Sequence, residues 1–175
     1  MKLLQMLPIG EFDGRILMQL GPAVADLFRL PCEVLPEVLD PEFAFHGERQ
    51  QYHSSELLQI MQNYVRPDTW RVLGITMVDL YIPILTFVFG EAQIGGPCGI
   101  VSGHRLRQEF YGLPTDDCLL HDRLLKEAVH ELGHTLDLTH CEDYQCAMAS
   151  SHAVEWIDLK GSALCTSCQS RVFED

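Results

Sequence analysis

The chain has 175 residues, 47% of them hydrophobic and 21% charged, and its formal net charge at pH 7 is -13. This length and composition are typical of one globular domain with its own core, and they exclude two full domains. The acidic charge argues against a nucleic-acid partner, because a phosphate backbone would be repelled. The sequence contains no run of 18 apolar residues, so no membrane span is predicted.

The first ten residues and the cysteines bear on location. The opening stretch has one lysine and an apolar run that Gln5 and Pro8 interrupt. It lacks a small-residue cleavage site, so we interpret it as a first strand, with a secretion signal as the alternative. The seven cysteines are an odd number, and four of them have metal-site spacing, which disfavours a disulfide framework. We therefore expect a cytoplasmic protein.

Hydrophobic periodicity predicts strands that alternate with helices, and hence an α/β (α+β) fold with a mixed sheet. Ser54 or Ser55 should cap the second helix and Thr115 the third, while Gly21-Pro22 should kink or restart the first. We expect strands at 2–9, 32–35, 70–80, 86–90 and 98–102, and helices at 14–30, 54–64 and 115–136.

The segment from His130 to Met148, HELGHTLDLTHCEDYQCAM, is the most informative. On a helix, His130 and His134 lie one turn apart on the same face. Two imidazoles and a third ligand, for which His140 is placed, can hold Zn²⁺ with one position open for water. Glu131 is the residue of this pattern that takes a proton from that water. We therefore predict a zinc hydrolase, and within that class a peptidase; the alternative is a histidine pair on a solvated helix.

Four cysteines follow the histidines in the last part of the chain, which has few large apolar side chains and needs a staple. Four thiolates in a tetrahedral array make a closed structural zinc site, and four unrelated thiols are the alternative. His140 and Cys141 are neighbours, and adjacent side chains of an extended chain point in opposite directions. Each could therefore face a different metal. The four are Cys141, Cys146, Cys165 and Cys168.

These motifs resemble those of the archaemetzincins, a branch of the metzincin zinc peptidases. The family pattern, His-Glu-x-x-His-x-x-Gly-x-x-His, then Cys-x4-Cys-x-Met and later Cys-x-x-Cys, is matched at every position but one. The segments 49–52 (RQQY), 72–76 (VLGIT) and 87–92 (FVFGEA) are also similar to the family. The resemblance therefore covers most of the chain.

The resemblance implies a compact metzincin-like metalloprotease fold, a peptide or protein substrate, and two zinc ions. The catalytic zinc would be held by the three histidines and the structural zinc by the four cysteines, with Glu131 as general base and acid and Met148 in a turn beneath the metal. Metzincins bind substrate as an added antiparallel strand. The candidate sheet edge is Thr86, Phe87, Val88, Phe89 and Gly90, with a fully paired strand as the alternative.

Asp137 departs from the family pattern, which has glycine at this position. The glycine ends the helix in a turn, commonly with positive φ, that brings back the third histidine. Asp tolerates left-handed geometry better than most residues. We expect the turn to persist with some strain; the alternative is a longer helix with a displaced His140.

We expect a single metalloprotease domain, 1–175, with a sheet-and-helix subdomain at 1–137 and a zinc-stapled subdomain at 138–175. The alternative function is a catalytically weak zinc-stabilised binding module, and a zinc-ribbon module for nucleic acid is disfavoured by charge. Neither a nucleic-acid nor a membrane partner is expected, and a monomer is compatible with the sequence. Tyr144 and His152 lie near the motif, where each could contact substrate or be structural.

Overall fold

A computed structural model describes residues 1–173. Strands interrupted by helices make up the first part of the described chain, and helices follow in the last. In chain order they are β1 (Leu3–Ile9), α1 (Arg15–Phe28), β2 (Cys32–Val34), β3 (Phe45–His46), β4 (Gln51–His53), α2 (Ser54–Met61), β5 (Thr69–Thr76), β6 (Leu80–Tyr81), β7 (Gly90–Ala92), β8 (Cys98–Ser102), α3 (Asp117–Thr135), α4 (Val154–Leu159) and α5 (Thr166–Phe173).

The main sheet has five strands in the order β2-β1-β5-β8-β7. The first four are parallel, and β7 runs antiparallel to β8 as the last strand on that side. In the register of the central strands, Leu73 lies between Met6 and Gly99. A second sheet, β3-β4-β6, is small. The predicted mixed α/β sheet is therefore confirmed.

Each face of the main sheet is covered by helices, which is why the central strands are apolar on both sides. Helices α1 and α3 cover one face, where the core includes Leu20, Val24 and Leu132. Helix α2 covers the other face with Leu57, Leu58 and Met61, all buried as predicted. The sheet therefore gives α3 a rigid support.

Helix α3 begins after Asp116, whose carboxylate accepts a hydrogen bond from the Leu119 N–H at 2.9 Å. The predicted cap, Thr115, is one residue too early, and its hydroxyl donates instead to Glu109. Acidic residues at this end favour the helix because of its dipole. The helix runs to Thr135 and ends directly before the Asp137 turn.

Three further predictions are corrected by tertiary contacts. Helix α1 passes through Pro22 without a break, because its buried face holds it on the sheet. The serines do not cap α2, since His53 is the capping residue and both serine hydroxyls donate to Glu91. The predicted strand at 70–80 is divided between β5 and β6, which belong to different sheets.

The residues after α3 form a small layer against that helix. Ile157 of α4 is fully buried, and α5 carries Cys168. The predicted small subdomain thus contains two short helices and long loops. None of the helices among residues 1–173 is long and apolar enough to cross a membrane.

Candidate metal centre

His130, His134 and His140 come together at the end of α3. One ring nitrogen from each lies within 4.8 Å of the others. Helix α3 supplies the first two residues from adjacent turns of one face, and the returning chain supplies the third. His130 is buried, His134 is half-buried and His140 is exposed, so the cluster opens to solvent on one side.

The outer nitrogens of the first two rings are held by backbone carbonyls. His130 Nδ1 lies 2.9 Å from the Ala147 oxygen, and His134 Nδ1 lies 2.8 Å from the Leu138 oxygen. A carbonyl only accepts hydrogen bonds, so each Nδ1 carries the proton and each Nε2 has a free lone pair. Burial favours this neutral form, since it lowers the pKa of both histidines.

The two Nε2 atoms, of His130 and His134, lie 3.1 Å apart. Two lone pairs at this distance repel each other unless a cation lies against both. Tetrahedral zinc, with nitrogen ligands at 2.0–2.1 Å, separates a pair of them by about 3.3 Å. The donor set therefore fits a zinc ion.

Asp137 makes the turn that allows His140 to join the cluster. Its φ is +63°, in the left-handed region, and its N–H donates to the His134 carbonyl at 3.1 Å. The turn expected despite the absence of glycine is present. The alternative of a lengthened helix is excluded, because α3 ends at Thr135.

Glu131 follows His130 on α3 and lines the same cleft. Burial raises the pKa of its carboxyl well above the usual value, the Glu127 carboxylate raises it further, and the Lys160 ammonium opposes the rise. A carboxyl group with this environment holds a proton readily. Its position beside the histidines suits a group that accepts a proton from water and returns it.

Gly90 of β7 lies directly against Glu131. A Cβ at Gly90 would stand 2.8 Å from Glu131 Cγ and 2.9 Å from its Oε1. The same Cβ would stand 2.5 Å from the Ile100 carbonyl oxygen. Only glycine therefore lets the edge strand and this carboxylate come so close.

Met148 lies in the loop that follows α3. It is fully buried, and its carbonyl accepts from the Cys141 N–H at 2.9 Å. A Cβ at Gly133 would come within 2.2 Å of Met148 Sδ. The loop thus packs against the helix turn between His130 and His134.

The four cysteines form the second cluster, with sulfurs within 4.8 Å of one another. Cys141 Sγ and Cys165 Sγ are 3.8 Å apart, too far for a disulfide bond. Thiolates bound tetrahedrally to zinc at 2.3 Å would be about 3.8 Å apart. The amides of Met148 and Cys165 donate to Cys146 Sγ at 3.4 and 3.3 Å, which stabilises a thiolate. The spacing and donors therefore fit zinc.

A cleft of about 470 Å³ contains the histidine cluster and β7. The predicted edge, Thr86–Gly90, lines it, but only Gly90 belongs to a strand, since β7 begins there. The strand prediction fails because side chains bind the Thr86 carbonyl, and Val88 forms only an isolated bridge to Leu80. Gln51 Nε2 donates to the Thr86 carbonyl at 2.9 Å, and Arg49 donates to Leu85 at 2.7 Å.

These two donors belong to the segment 49–52, RQQY. The Arg49 guanidinium lies 4.0 Å from the centre of the Tyr81 ring. Gln51 also donates to Asp79, which pairs with Arg105 at 2.7 Å. The network fixes one wall of the cleft from behind.

The remaining candidates differ in position. His152 is exposed and lines the cleft with Ser150 and Ser151, whereas Tyr144 is exposed and lies outside the lining. Glu127 and Lys160, for which the sequence patterns predicted no role, form a buried ion pair beside the cluster at 2.9 Å. The signal available was the spacing of Glu127 and Glu131, because two carboxylates four residues apart on one helix face repel each other and favour a nearby cation.

Solved structures share this arrangement over almost the whole chain. An archaemetzincin from Archaeoglobus fulgidus, solved with malonate, is 31% identical with a TM-score of 0.83, covering 97% of this chain and 99% of its own. A zinc-dependent peptidase from Methanocorpusculum labreanum is 26% identical with a TM-score of 0.87 and the same coverage. Together with the donor set, this fold defines a zinc metallopeptidase.

Sequence relatives identify the family of zinc metallopeptidases to which the chain belongs. The model of peptidase family M54 matches residues 15–174. The archaemetzincin of Methanocaldococcus jannaschii is 39% identical over 165 residues, which cover 94% of this chain and 89% of the relative. The chain belongs to peptidase family M54, the archaemetzincins, and is a zinc-dependent peptidase. The predicted family, fold and enzyme class are confirmed.

Proposed function

We propose that His130, His134 and His140 hold the catalytic zinc and that Glu131 is the general base and acid. The facing Nε2 atoms of His130 and His134, 3.1 Å apart, carry this assignment. Zinc bound there would polarise a substrate carbonyl and lower the pKa of a water molecule. Side chains of the protein would carry out the remaining steps, which are proton transfer and substrate binding.

Glu131 takes the proton of the attacking water and passes it to the leaving nitrogen. Its side chain is buried against Gly90, so a proton held there is shielded from bulk solvent. Burial raises the pKa of its carboxyl, so Glu131 holds a proton more readily than an exposed glutamate. A single residue can therefore serve both transfers.

The substrate lies along β7 and the segment before it. We propose that the peptide backbone pairs with the outer side of β7, as an added strand would. Thr86, Phe87, Val88, Phe89 and Gly90 line the cleft and contribute contacts on this side. Ser150 and His152 line it as well.

We further propose that Cys141, Cys146, Cys165 and Cys168 hold a structural zinc, giving two zinc ions per chain. This site stabilises residues 138–175, of which the last two lie outside the described part, as a subdomain beside 1–137 within one metalloprotease domain. A cytoplasmic location is also proposed, because reduced thiols are needed to hold this metal. All seven cysteines are free.

The experiment is metal analysis combined with hydrolysis of a peptide library. Two zinc ions per chain are expected, with activity lost to a chelator and restored by zinc alone. A Glu131→Gln variant should keep both ions and lose turnover. Activity that survives complete removal of metal, or a chain that retains one zinc only, would contradict the assignment.

A further inference from the structure

Lys160 is a buried lysine that the proposed chemistry does not use. Its side chain is 0% exposed, and it follows α4 directly. The ammonium has three acceptors: Glu127 Oε1 at 2.9 Å, the Ala147 oxygen at 3.1 Å and the Ala149 oxygen at 3.2 Å. The two carbonyl contacts are hydrogen bonds, and the contact with Glu127 is an ion pair.

Two of these acceptors flank Met148. The carbonyls of Ala147 and Ala149 stand on either side of it, and one ammonium contacts both. Lys160 therefore fixes the backbone of the loop that packs against α3 at Gly133. The loop has little freedom to rotate a peptide unit while both contacts persist.

The Ala147 carbonyl connects this lysine to the metal centre. Its oxygen accepts from His130 Nδ1 at 2.9 Å as well as from Lys160, so both of its lone pairs are used. The direction of this oxygen determines the tautomer and the ring orientation of His130. Lys160 thus acts on the ring without touching it.

The third acceptor ties the ammonium to the metal-binding helix. Glu127 lies one turn before His130 on α3, and its side chain is 5% exposed. The contact is ionic rather than a well-directed hydrogen bond, since Oε1 meets the distance for a salt bridge but lacks hydrogen-bond geometry. The Lys160 ammonium therefore bridges α3 and the loop that contains Met148.

We propose that Lys160 is a positioning residue for the catalytic zinc. By holding the Ala147 carbonyl against His130 Nδ1, it sets the orientation in which His130 Nε2 meets the metal. This inference rests on the proposed assignment of zinc to the three histidines. Groups that orient a histidine ligand from outside typically change metal affinity by 10–100-fold.

A competing explanation is that Lys160 serves only as a counter-ion for Glu127. Removing one partner of a buried ion pair destabilises a fold because the other charge is left unpaired. Replacing both partners removes that penalty but leaves the Ala147 carbonyl without its ammonium. A double variant therefore distinguishes a role as counter-ion for Glu127 from a role in positioning the Ala147 carbonyl.

The test compares Lys160→Met with the double variant Glu127→Gln/Lys160→Met in the full chain. The more weakly held zinc is removed with a chelator, and Co²⁺ is then titrated into the vacated site while zinc stays on the cysteines. Cobalt bands without thiolate charge transfer report the histidine site. Lys126→Met is the control, since Lys126 has its own partner, Asp122, at 2.7 Å.

We expect Lys160→Met to weaken Co²⁺ binding by 10–100-fold and to lower the unfolding temperature. The double variant should regain stability but not affinity, and Lys126→Met should bind like the wild type. If Lys160→Met does not fold, the Co²⁺ affinity of the double variant alone tests the inference. Wild-type affinity in the double variant would overturn the inference. Failure of the wild type itself to bind Co²⁺ through histidine would instead contradict the proposed function.

Discussion

Gly133 and Met148 are in direct contact, since a Cβ on Gly133 would fall 2.2 Å from Met148 Sδ. Gly133→Ala should therefore displace the methionine and destabilise the fold by about 1–3 kcal/mol, the usual cost of overpacking a core. Denaturant unfolding measures this change. Gly99→Ala is the matched control, because its Cβ would lie at an ordinary 3.5 Å from Glu131 Cβ. Equal stability of the two variants would contradict the contact.

Asp137 should be strained by its φ of +63°. Asp137→Gly is expected to raise the free energy of unfolding by up to about 1 kcal/mol, since glycine adopts this geometry freely. Asp137→Ala should lower it, because alanine has the strain without a polar side chain. A denaturant series over both variants gives the order. Loss of stability in the glycine variant would mean that the carboxylate contributes more than the backbone strain costs.

Glu131→Gln should reduce kcat by about 10²–10⁴-fold, the usual contribution of general acid–base catalysis, while zinc stays bound.

The raised pKa of Glu131 also predicts a pH effect on the metal-free protein. Its protonated form contributes stability that is complete below the unfolded pKa of 4.5 and lost as pH rises through the folded pKa. The unfolding temperature of the chelated glutamine variant should therefore exceed that of the wild type more at pH 8 than at pH 5. A gap that is constant with pH would show that Glu131 does not titrate as described.

Cys165→Ser should remove the structural zinc and weaken the catalytic one, because Cys141 adjoins His140 in the chain and its amide donates to the Met148 carbonyl. Metal content should fall from two ions to one or fewer. Cys118→Ser is the control, since Cys118 is an exposed free thiol outside both clusters. Unchanged binding of the catalytic metal in Cys165→Ser would refute the coupling between the sites.

Arg49→Met should raise KM for peptides several-fold with little change in kcat. The arginine holds the Leu85 and Thr86 carbonyls at 2.7 and 3.2 Å, and each lost hydrogen bond corresponds to about 0.5–1.5 kcal/mol. Steady-state kinetics on one peptide give the split between the constants. Arg66→Met provides the comparison, because Arg66 pairs with Glu33 outside the cleft. A fall in kcat alone would argue against a role in shaping the wall.

Local sequence patterns predicted helix α3 well, because its hydrophobic and histidine spacings are periodic and strong. The spacing of His130 and His134 is a property of any helix, so it could be read without the fold. The failure of the strand expected at Thr86–Gly90 could not be predicted from local sequence, since Arg49 and Gln51 reach Thr86 from a distant part of the chain. The serine caps failed for a similar reason, as Glu91 competes for both hydroxyls. Side-chain bonds between distant segments leave no trace in local periodicity.

Lys160 and Cys165 follow the histidines in the chain, and this order has a consequence for synthesis of the enzyme. A growing chain that ends before Lys160 and Cys165 has the complete HELGH helix but neither the buried ammonium nor the second thiol pair. We expect such a chain to bind the hydrolytic metal weakly. Proteolytic capability would then arise only after Lys160 and Cys168 have been added to the chain.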